Sequence, residues 1–594
     1  MRMNRRPTAV RAFSPAKVTG IRRYLPFLEW LLNYHPQDLV GDLMAGMIVA
    51  IMLVPQSMAY ALLAGLPPQV GLYASILPLI LYALFGTSRT LAVGPVAMVS
   101  LLVATGIGAI APQNSPEYIV LALVLALLVG IIQLSMGLFR LGFLVNFLSH
   151  AVISGFTSAA ALIIAFSQLK HLLGVKIPHT ESFYELLISL VQQIDQTNIV
   201  TLSIGVISIA VLIYFNKRLG YLLNRWGVSQ GLIVPITKSA PLIVVLFSTL
   251  LVWDLALHEN ANVNIVGAIP RGLPPLTLPS FEWTLWQKLL PTALTISFVG
   301  FMESIAVAKS LASKRRQKVD ANQELIGLGV ANLGAAVTGG YPVTGGFSRS
   351  VVNFAAGANT ALASMITALL IALVTLFFTP VFYFLPQTTL AAIIIVAVFG
   401  LVDVNTFKQM WRYNKADGVS LLITFVAVLT VGIEVGILVG VVTAVLLFLW
   451  RTSRPHIAIV GRVGESETFR NVLRYEVKTC PHVLAIRVDG SLYFANTKYL
   501  EDQLLQAIAQ WPELEHLVLV CSAINFIDAS ALETLENLMD ELKQAGVNFY
   551  LAEVKGPVMD RLSKTDFLDR LGRDRIFLST HQAMQVLGCN SIQT

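Results

Sequence analysis

From about residue 40 to residue 450 the chain alternates long apolar runs with short polar breaks, and beyond that it does not. A helix that crosses a bilayer needs about 20 apolar residues. By that measure the pattern predicts helices near 40–62, 69–86, 118–138, 147–169, 199–215, 232–253, 288–312, 323–339, 361–380 and 385–403. Two shorter pieces, near 95–109 and 347–358, read as half-helices. The run 419–450 is too long for one span and is interrupted by Gly432, Glu434 and Gly436, so it reads as two. The total is about fourteen segments, or two sets of seven, and an odd number per half requires the second set to run inverted relative to the first. The expectation is a mostly α membrane protein with two inverted seven-helix repeats.

After Arg454-Pro455 the pattern becomes that of a soluble domain. Strand-like runs at His456–Val460, Val483–Val488, His516–Cys521 and Asn548–Leu551 alternate with helical patterns near 497–510, 529–544, 555–563 and 581–587. Strands alternating with helices predict a small α/β domain with a covered sheet. The chain thus divides into a basic N-terminus (1–38), a transmembrane region (39–454, with repeats at about 39–253 and 288–450) and a cytoplasmic domain (455–594).

Composition agrees. Of 594 residues, 55% are hydrophobic and 13% charged, against roughly 25% charged in a soluble domain. The net charge of +7 does not point to nucleic acid, because the basic residues gather in alternate loops. One set holds Arg89; Arg140; Lys217, Arg218, Arg225 and Lys238; Lys314, Arg315, Arg316 and Lys318; Lys408, Arg412 and Lys415; Arg451 and Arg454. In the other set, 109–118 has no Lys or Arg and 254–288 has only Arg271 and Lys288. That alternation predicts a multi-pass cell-membrane protein with both termini cytoplasmic. The 254–288 loop, with Trp283 and Trp286, becomes an external cap or interfacial belt.

The N-terminus is basic (Arg2, Arg5, Arg6, Arg11, Lys17, Arg22, Arg23) and lacks an apolar core followed by a small-residue cleavage site, so no cleaved signal peptide is expected. Cys480, Cys521 and Cys589 have an odd count and no ligand spacing, which suggests reduced thiols. No Ser/His/acid set, metal cluster or phosphate-cradling loop is evident. An enzyme, a cofactor and a metal are therefore not expected.

Two distant stretches echo each other: Gln56-Ser57-Met58-Ala59-Tyr60-Ala61 and Glu303-Ser304-Ile305-Ala306-Val307-Ala308. Each precedes a Gly-rich break, Val93-Gly94-Pro95-Val96-Ala97 in the first half and Thr344-Gly345-Gly346-Phe347-Ser348-Arg349-Ser350 in the second. Broken helices at matching places in two halves, with a substrate site between them, are the pattern of a duplicated secondary transporter.

Glu303 lies in an otherwise apolar span, where a carboxylate costs at least about 2.5–3.5 kcal/mol, so it is a candidate for coupling to H⁺ or Na⁺ rather than a structural ion-pair partner. Glu434, at a helix break, suits a structural role better. Each half-helix N-terminus carries roughly +0.5 of charge and free N–H donors. Pro95 suits a first turn, Gly94, Gly345 and Gly346 allow close backbone approach, Ser348 offers a hydroxyl and Arg349 a full charge. Two N-termini plus Arg349 give about +2, which matches a divalent anion if Glu303 is protonated and a monovalent one if it is ionised, and excludes a cation more firmly than it chooses among anions. Gln56 and Tyr60, one turn apart on one face, can add an amide and a ring edge, although Tyr60 also suits plain packing. Asn332, Asn353, Thr157 and Gln133 read as helix–helix glue.

These residues resemble the sulfate permease (SulP) family of anion transporters. The likeness runs through Val54-Pro55-Gln56-Ser57-Met58-Ala59-Tyr60 to Gly71-Leu72-Tyr73, then Phe85-Gly86-Thr87-Ser88-Arg89, Gly94-Pro95, Glu303-Ser304-Ile305-Ala306 and Ser348-Arg349-Ser350. The C-terminal region resembles a STAS domain, with Asn525-Phe526-Ile527-Asp528-Ala529-Ser530 as its turn before a helix. The resemblance implies core and gate domains and an elevator-like motion against a dimeric gate. It places an anion between the third and tenth helices, lined by Gln56, Tyr60, Val96, Ala97, Glu303, Ser348 and Arg349, with Phe347 at the second break.

Two departures matter. The position after Asp528, a phosphorylatable Ser in regulatory relatives, is Ala529, although Ser530 is adjacent. Sodium-coupled bicarbonate members resemble an Asp with a hydroxyl residue four positions on, whereas this chain has Glu303 and Val307, which favours H⁺ over Na⁺. The leading expectation is sulfate uptake by proton symport. The alternatives are a Na⁺-coupled bicarbonate carrier, a dicarboxylate transporter or exchanger, or an anion channel. Expected partners are a small inorganic anion, the lipid bilayer, a second copy of the chain and a cytoplasmic partner of the STAS domain, with no nucleic acid.

Overall fold

The computed structural model describes residues 25–32, 34–113, 115–143, 149–175, 183–228 and 230–589. The basic N-terminal residues from Arg2 to Arg23, and with them the question of a signal peptide, lie outside the described residues. The chain divides into two compact units, one ending at Val442 and the other starting at Thr443.

The first unit is helical. The membrane segments are α1 (Pro36–Leu63), α2 (Pro68–Phe85), α3 (Ala97–Gly108), α4 (Pro116–Leu138), α5 (His150–Leu173), α6 (Ile199–Tyr214), α7 (Ala240–Asp254), α8 (Trp283–Lys314), α9 (Ala321–Val337), α10 (Phe347–Ala355), α11 (Leu362–Leu373), α12 (Gln387–Phe399), α13 (Lys415–Val431) and α14 (Ile433–Thr452), the last of which contains the boundary at Val442. Nine helical stretches among the described residues are long and apolar enough to cross a membrane. Large apolar side chains such as Ile207, Phe247, Leu369 and Leu438 are exposed on them, as lipid-facing positions require.

Local sequence explains the ends. Pro opens α1, α2, α4 and α7 within the first two positions, where its missing N–H costs nothing. Ser115 and Ser149 cap α4 and α5 by accepting from Tyr118 N and Val152 N. Gly432, at φ 93°, breaks the 419–450 run into α13 and α14, as its sequence predicts. The 232–253 run is two helices, Gln230–Lys238 and α7, because the chain breaks at Ser239, just before Pro241 in the first turn of α7. The 254–288 loop is pinned rather than free: Val266 N donates to Leu385 O at 2.8 Å and Thr277 N to Val337 O at 2.9 Å.

Two short strands sit directly before the half-helices. β1 (Val93–Gly94) precedes α3 and β2 (Thr344–Gly345) precedes α10, and they pair antiparallel, Val93 with Gly345 and Gly94 with Thr344. Both α3 and α10 pack against both α1 and α8. The antiparallel pairing sets the two breaks head to head, with the halves running in opposite senses through them.

The second unit carries a six-stranded sheet in the order β4-β3-β5-β6-β7-β8. The strands are β3 (Ile457–Arg462), β4 (Phe469–Asn471), β5 (Val483–Val488), β6 (His516–Val520), β7 (Asn548–Ala552) and β8 (Ile576–Phe577). β5 to β8 are parallel, and β3 and β4 join antiparallel. The period-2 alternation of side chains sends Leu484, Ile486, Leu517 and Leu519 to one face, under α15 (Thr497–Ala509), α16 (Ala529–Gln544) and α17 (Gly556–Leu562). Val483, Ala485, Val518 and Val520 go to the other, under α18 (Thr580–Val586). The edge strands β4 and β8, three and two residues long, carry too little alternation to be read from sequence.

The expectation of three reduced cysteines does not hold. Cys480, before β5, and Cys589, after α18, form a disulfide with their Cα atoms 6.0 Å apart. The odd count arises because Cys521 alone is free and buried. Burial, with the Glu553 carboxylate, pushes its thiol up to about 12. Sequence spacing does not reveal the pair because the fold, not the 109-residue separation, brings the two together.

Candidate functional site

α3 and α10 begin side by side with free backbone donors. Neither has a side-chain cap: Val96 is the N-cap of α3 and Gly346 of α10, and no side chain accepts from their first turns. The first N–H groups of each helix therefore lack intrahelical partners. Val96 and Ala97 are buried, at the start of α3. Ser348 and Phe347, in the first turn of α10, are exposed, so this turn is open to approach.

Arg349 is buried at 2% exposure, in that same first turn. Its Nη1 donates to the carbonyl of Pro95 at 2.7 Å, linking the second break to the first. Its Nε and Nη2 have no hydrogen-bond partner. A buried guanidinium with two unused donors is costly unless something accepts from them.

Glu303 projects from α8, half-buried, with Oε2 enclosed and also without a partner. Tyr60 on α1 is buried and, with Glu303 and Tyr341, lies within electrostatic reach of Arg349. Gln56 is buried one turn before Tyr60.

The glycines work differently from their sequence-based reading. Gly94 has φ 150°, which only glycine adopts readily, and a Cβ there would stand 3.4 Å from Arg349 Nη2. A Cβ on Gly346 would come within 2.9 Å of Arg349 Cζ, so this glycine makes room for the guanidinium. Gly345 is needed for a different contact, because its Cβ would fall 2.7 Å from Leu91 Cδ1. Pro95 stands one residue before the N-cap of α3 rather than in its first turn. Its carbonyl is what Arg349 uses.

Several supporting residues were not singled out from sequence. Ser304 Oγ accepts from Gly345 N at 2.8 Å and bonds Thr344 Oγ1, whose hydroxyl donates to Gly300 O at 2.6 Å. These bonds fix β2 to α8. Ser350 Oγ accepts from Ala92 N at 2.9 Å and donates to Gly346 O at 2.7 Å, which fixes α10 to the approach of β1. Tyr341 is fully buried and its hydroxyl bonds Ser100 on α3 at 2.9 Å.

Two fully buried carboxylates anchor the surrounding turns. Glu324 on α9 accepts from Tyr82 Oη at 2.6 Å, Thr87 N at 2.7 Å, Thr87 Oγ1 at 2.6 Å and Ser88 N at 3.0 Å. Asp42 on α1 accepts from Asn359 N, Thr360 N and Thr360 Oγ1 at 2.6–2.9 Å. Both were legible by the argument that singled out Glu303, a lone acid in an apolar span.

Of the polar residues read as glue, Asn332, Gln133 and Asn353 make bonds between segments. Asn332 Nδ2 donates to Gln133 Oε1 and Val343 O while its Oδ1 accepts from Val343 N, and Asn353 Nδ2 donates to Thr90 O. Glu434 accepts from Thr292 Oγ1 at 2.6 Å, which ties α14 to α8. In the second unit Asp528 caps α16, its Oδ1 accepting from Ala531 N at 2.8 Å and Oδ2 from Phe494 N at 2.9 Å. Ser530 is exposed in the first turn of that helix.

A multi-pass helical membrane protein with paired broken helices and a buried, donor-rich centre is a transporter for anions. Residues 39–424 match the sulfate permease family and residues 474–583 match the STAS domain. The chain belongs to the sulfate permease family, whose members are transporters and not enzymes. It is 38% identical over 582 residues to sulfate transporter 4.1, chloroplastic, of Arabidopsis thaliana, covering 96% of this chain and 83% of that one. The murine Solute Carrier 26 family member A9 anion transporter, in its inward-facing state, matches with a TM-score of 0.88 at 25% identity, covering 99% of this chain and all of that one. The transmembrane domain of the cyanobacterial bicarbonate transporter BicA shares the fold, with a TM-score of 0.58 at 23% identity over 69% of this chain and 98% of that one.

Proposed function

We propose that this anion transporter takes up sulfate, or a closely similar divalent oxyanion, by proton symport. The observation that carries the reading is Arg349, buried beside two uncapped helix N-termini with Nε and Nη2 unpartnered. Donors fixed in a low-dielectric site favour an acceptor with several oxygens, and a planar guanidinium engages such a group with two parallel bonds. The substrate site comprises Gln56, Tyr60, Val96, Ala97, Ser348 and Arg349. Relatives named as sulfate transporters support the substrate.

Glu303 carries the proton. With two N-termini and Arg349 contributing about +2, a neutral Glu303 balances a divalent anion and an ionised one opposes it. Loading sulfate and loading a proton then favour each other. Val307, one turn on, is buried and its apolar side chain offers Na⁺ no oxygen. The helices that hold the site move as a body against a dimeric remainder, in an elevator-type cycle. Both termini face the cytoplasm at the cell membrane, following the basic loops, and the STAS domain meets its partner there.

The test is sulfate uptake by proteoliposomes under an imposed pH gradient. An inward proton gradient accelerates uptake by the wild type, and Glu303→Gln retains sulfate exchange while losing that acceleration. Uptake indifferent to the gradient defeats proton coupling. Counterflow of labelled sulfate against bicarbonate and fumarate separates the substrate alternatives, and unitary currents mark a channel.

A further inference from the structure

Beyond the far end of α3 lies a pocket of about 290 Å³ that the transport site does not use. Its walls come from the C-terminal ends of α1, α3 and α5, from the helix Phe183–Gln192 and from the α13–α14 break. Thr105 of α3 lines it, and eight residues of helix from Ala97 to Thr105 put it about 12 Å from the start of α3. Every one of these helix ends lies on the face opposite the Lys- and Arg-rich loops.

Lys170, half-buried in the last turn of α5, faces this pocket. Its ammonium makes no hydrogen bond or ion pair with any described residue. Gln113, Gln168 and His171 add further polar groups to the wall, and no Asp or Glu among the described residues lines it. Gln168 Nε2 spends one bond on Ser167 Oγ. Glu434, next to the lining residue Ile433, accepts from Thr292 and is not among the lining residues. A lysine in a last helical turn also interacts with the carbonyl end of its helix. That role needs neither a cavity nor neighbouring amides.

We propose that this pocket is a second anion site, which gathers small inorganic oxyanions on the face away from the basic loops and delivers them along α3 toward Arg349. It rests on the reading of Arg349 as the central anion site and adds a stage before it. A cationic cleft with low-dielectric walls raises the local concentration of an anion and its rate of entry. The pocket holds an oxyanion with part of its hydration shell, so the ion need not be stripped of water in one step.

The test uses the full chain in proteoliposomes, with sulfate supplied to one face at a time. Lys170→Gln raises the apparent KM about ten-fold for sulfate entering from the face away from the basic loops. It leaves KM from the other face and kcat unchanged, and Lys170→Arg restores the wild-type value. A second readout does not depend on transport. Thr105→Cys reacts faster with a sulfonate-bearing thiol reagent than with a cationic one, sulfate slows that reaction, and Lys170→Gln removes the preference. An unchanged KM, an equal shift from both faces, or labelling indifferent to reagent charge overturns the proposal. A wild type that does not move sulfate defeats the central reading instead, and the labelling then decides this one alone.

Discussion

The Arg349 guanidinium and the Glu303 carboxylate lie within electrostatic reach of one another, yet they do not pair. Arg349 keeps Nε and Nη2 unpartnered and Glu303 keeps Oε2 so, while among the described residues the guanidinium bonds only the carbonyl of Pro95. A direct salt bridge would use up both groups. Held apart by α8 and α10, they remain available to an anion on one side and a proton on the other. In the proposed cycle the pair links substrate and coupling ion through charge rather than through a conformational relay.

The first expectation concerns Arg349. Arg349→Gln weakens equilibrium sulfate binding by at least about thirty-fold, equivalent to about 2 kcal/mol. Arg349→Lys recovers little of it, because an ammonium cannot both bond Pro95 O and offer a planar pair of donors. Titration calorimetry on the purified protein reads the difference, and a lysine variant with wild-type affinity contradicts it.

Gly346→Ala places a methyl carbon 2.9 Å from Arg349 Cζ and displaces the guanidinium. Sulfate affinity falls while the fold persists. Gly94→Ala weakens binding and also strains the backbone at φ 150°, at about 1–3 kcal/mol. Measured thermal midpoints should therefore drop for Gly94→Ala more than for Gly346→Ala, whereas both lose affinity.

Glu324 is structural. Its carboxylate receives two backbone N–H groups and two hydroxyls at the turn leading to β1. Glu324→Ala leaves those donors buried and unpaired, destabilising the first unit by about 3 kcal/mol or more. Fluorescence-monitored melting detects this. In the protein that remains folded the ratio of protons to sulfate is unchanged, and an altered ratio would assign Glu324 to coupling.

How far the sequence reaches is clearest at these residues. Apolar runs located the membrane helices because bilayer thickness dictates their length, and glycine-rich breaks marked the half-helices because few other residues tolerate such turns. The position of Pro95 was off by two residues, since a break does not say where helical hydrogen bonding resumes. Gly346 was singled out for close approach of a ligand, whereas the group packed against it is the Arg349 guanidinium, a contact made only after folding. Glu324 and Asp42 carried the same signal as Glu303, an acid in an apolar run. Only three-dimensional neighbours separate an acid with several donors from one with an unpartnered oxygen. The Cys480–Cys589 bond escaped for the same reason.

The second unit has its own pH dependence. Burial would raise Asp489, but hydrogen bonds from Arg487 and His456, with the Arg487 charge, hold it below the ordinary carboxylate value. A depressed carboxyl stabilises the fold fully above its unfolded value of about 3.9 and loses that contribution as pH falls through the folded value. Hydrogen exchange in β5, corrected for intrinsic rates, should stay constant from neutral pH down to that region and then rise. Asp489→Asn raises exchange already at neutral pH and flattens the acid limb. An acid limb identical in the two proteins contradicts the assignment.

The central claim is that the N-termini of α3 and α10 hold one anion together with Arg349. Crystals grown in selenate report its position through the anomalous signal of selenium. The account predicts a single strong peak with its oxygens about 3 Å from first-turn N–H groups of both half-helices and from Arg349 Nε or Nη2. A peak remote from β1 and β2, or one held by other side chains with both N-termini unengaged, contradicts it.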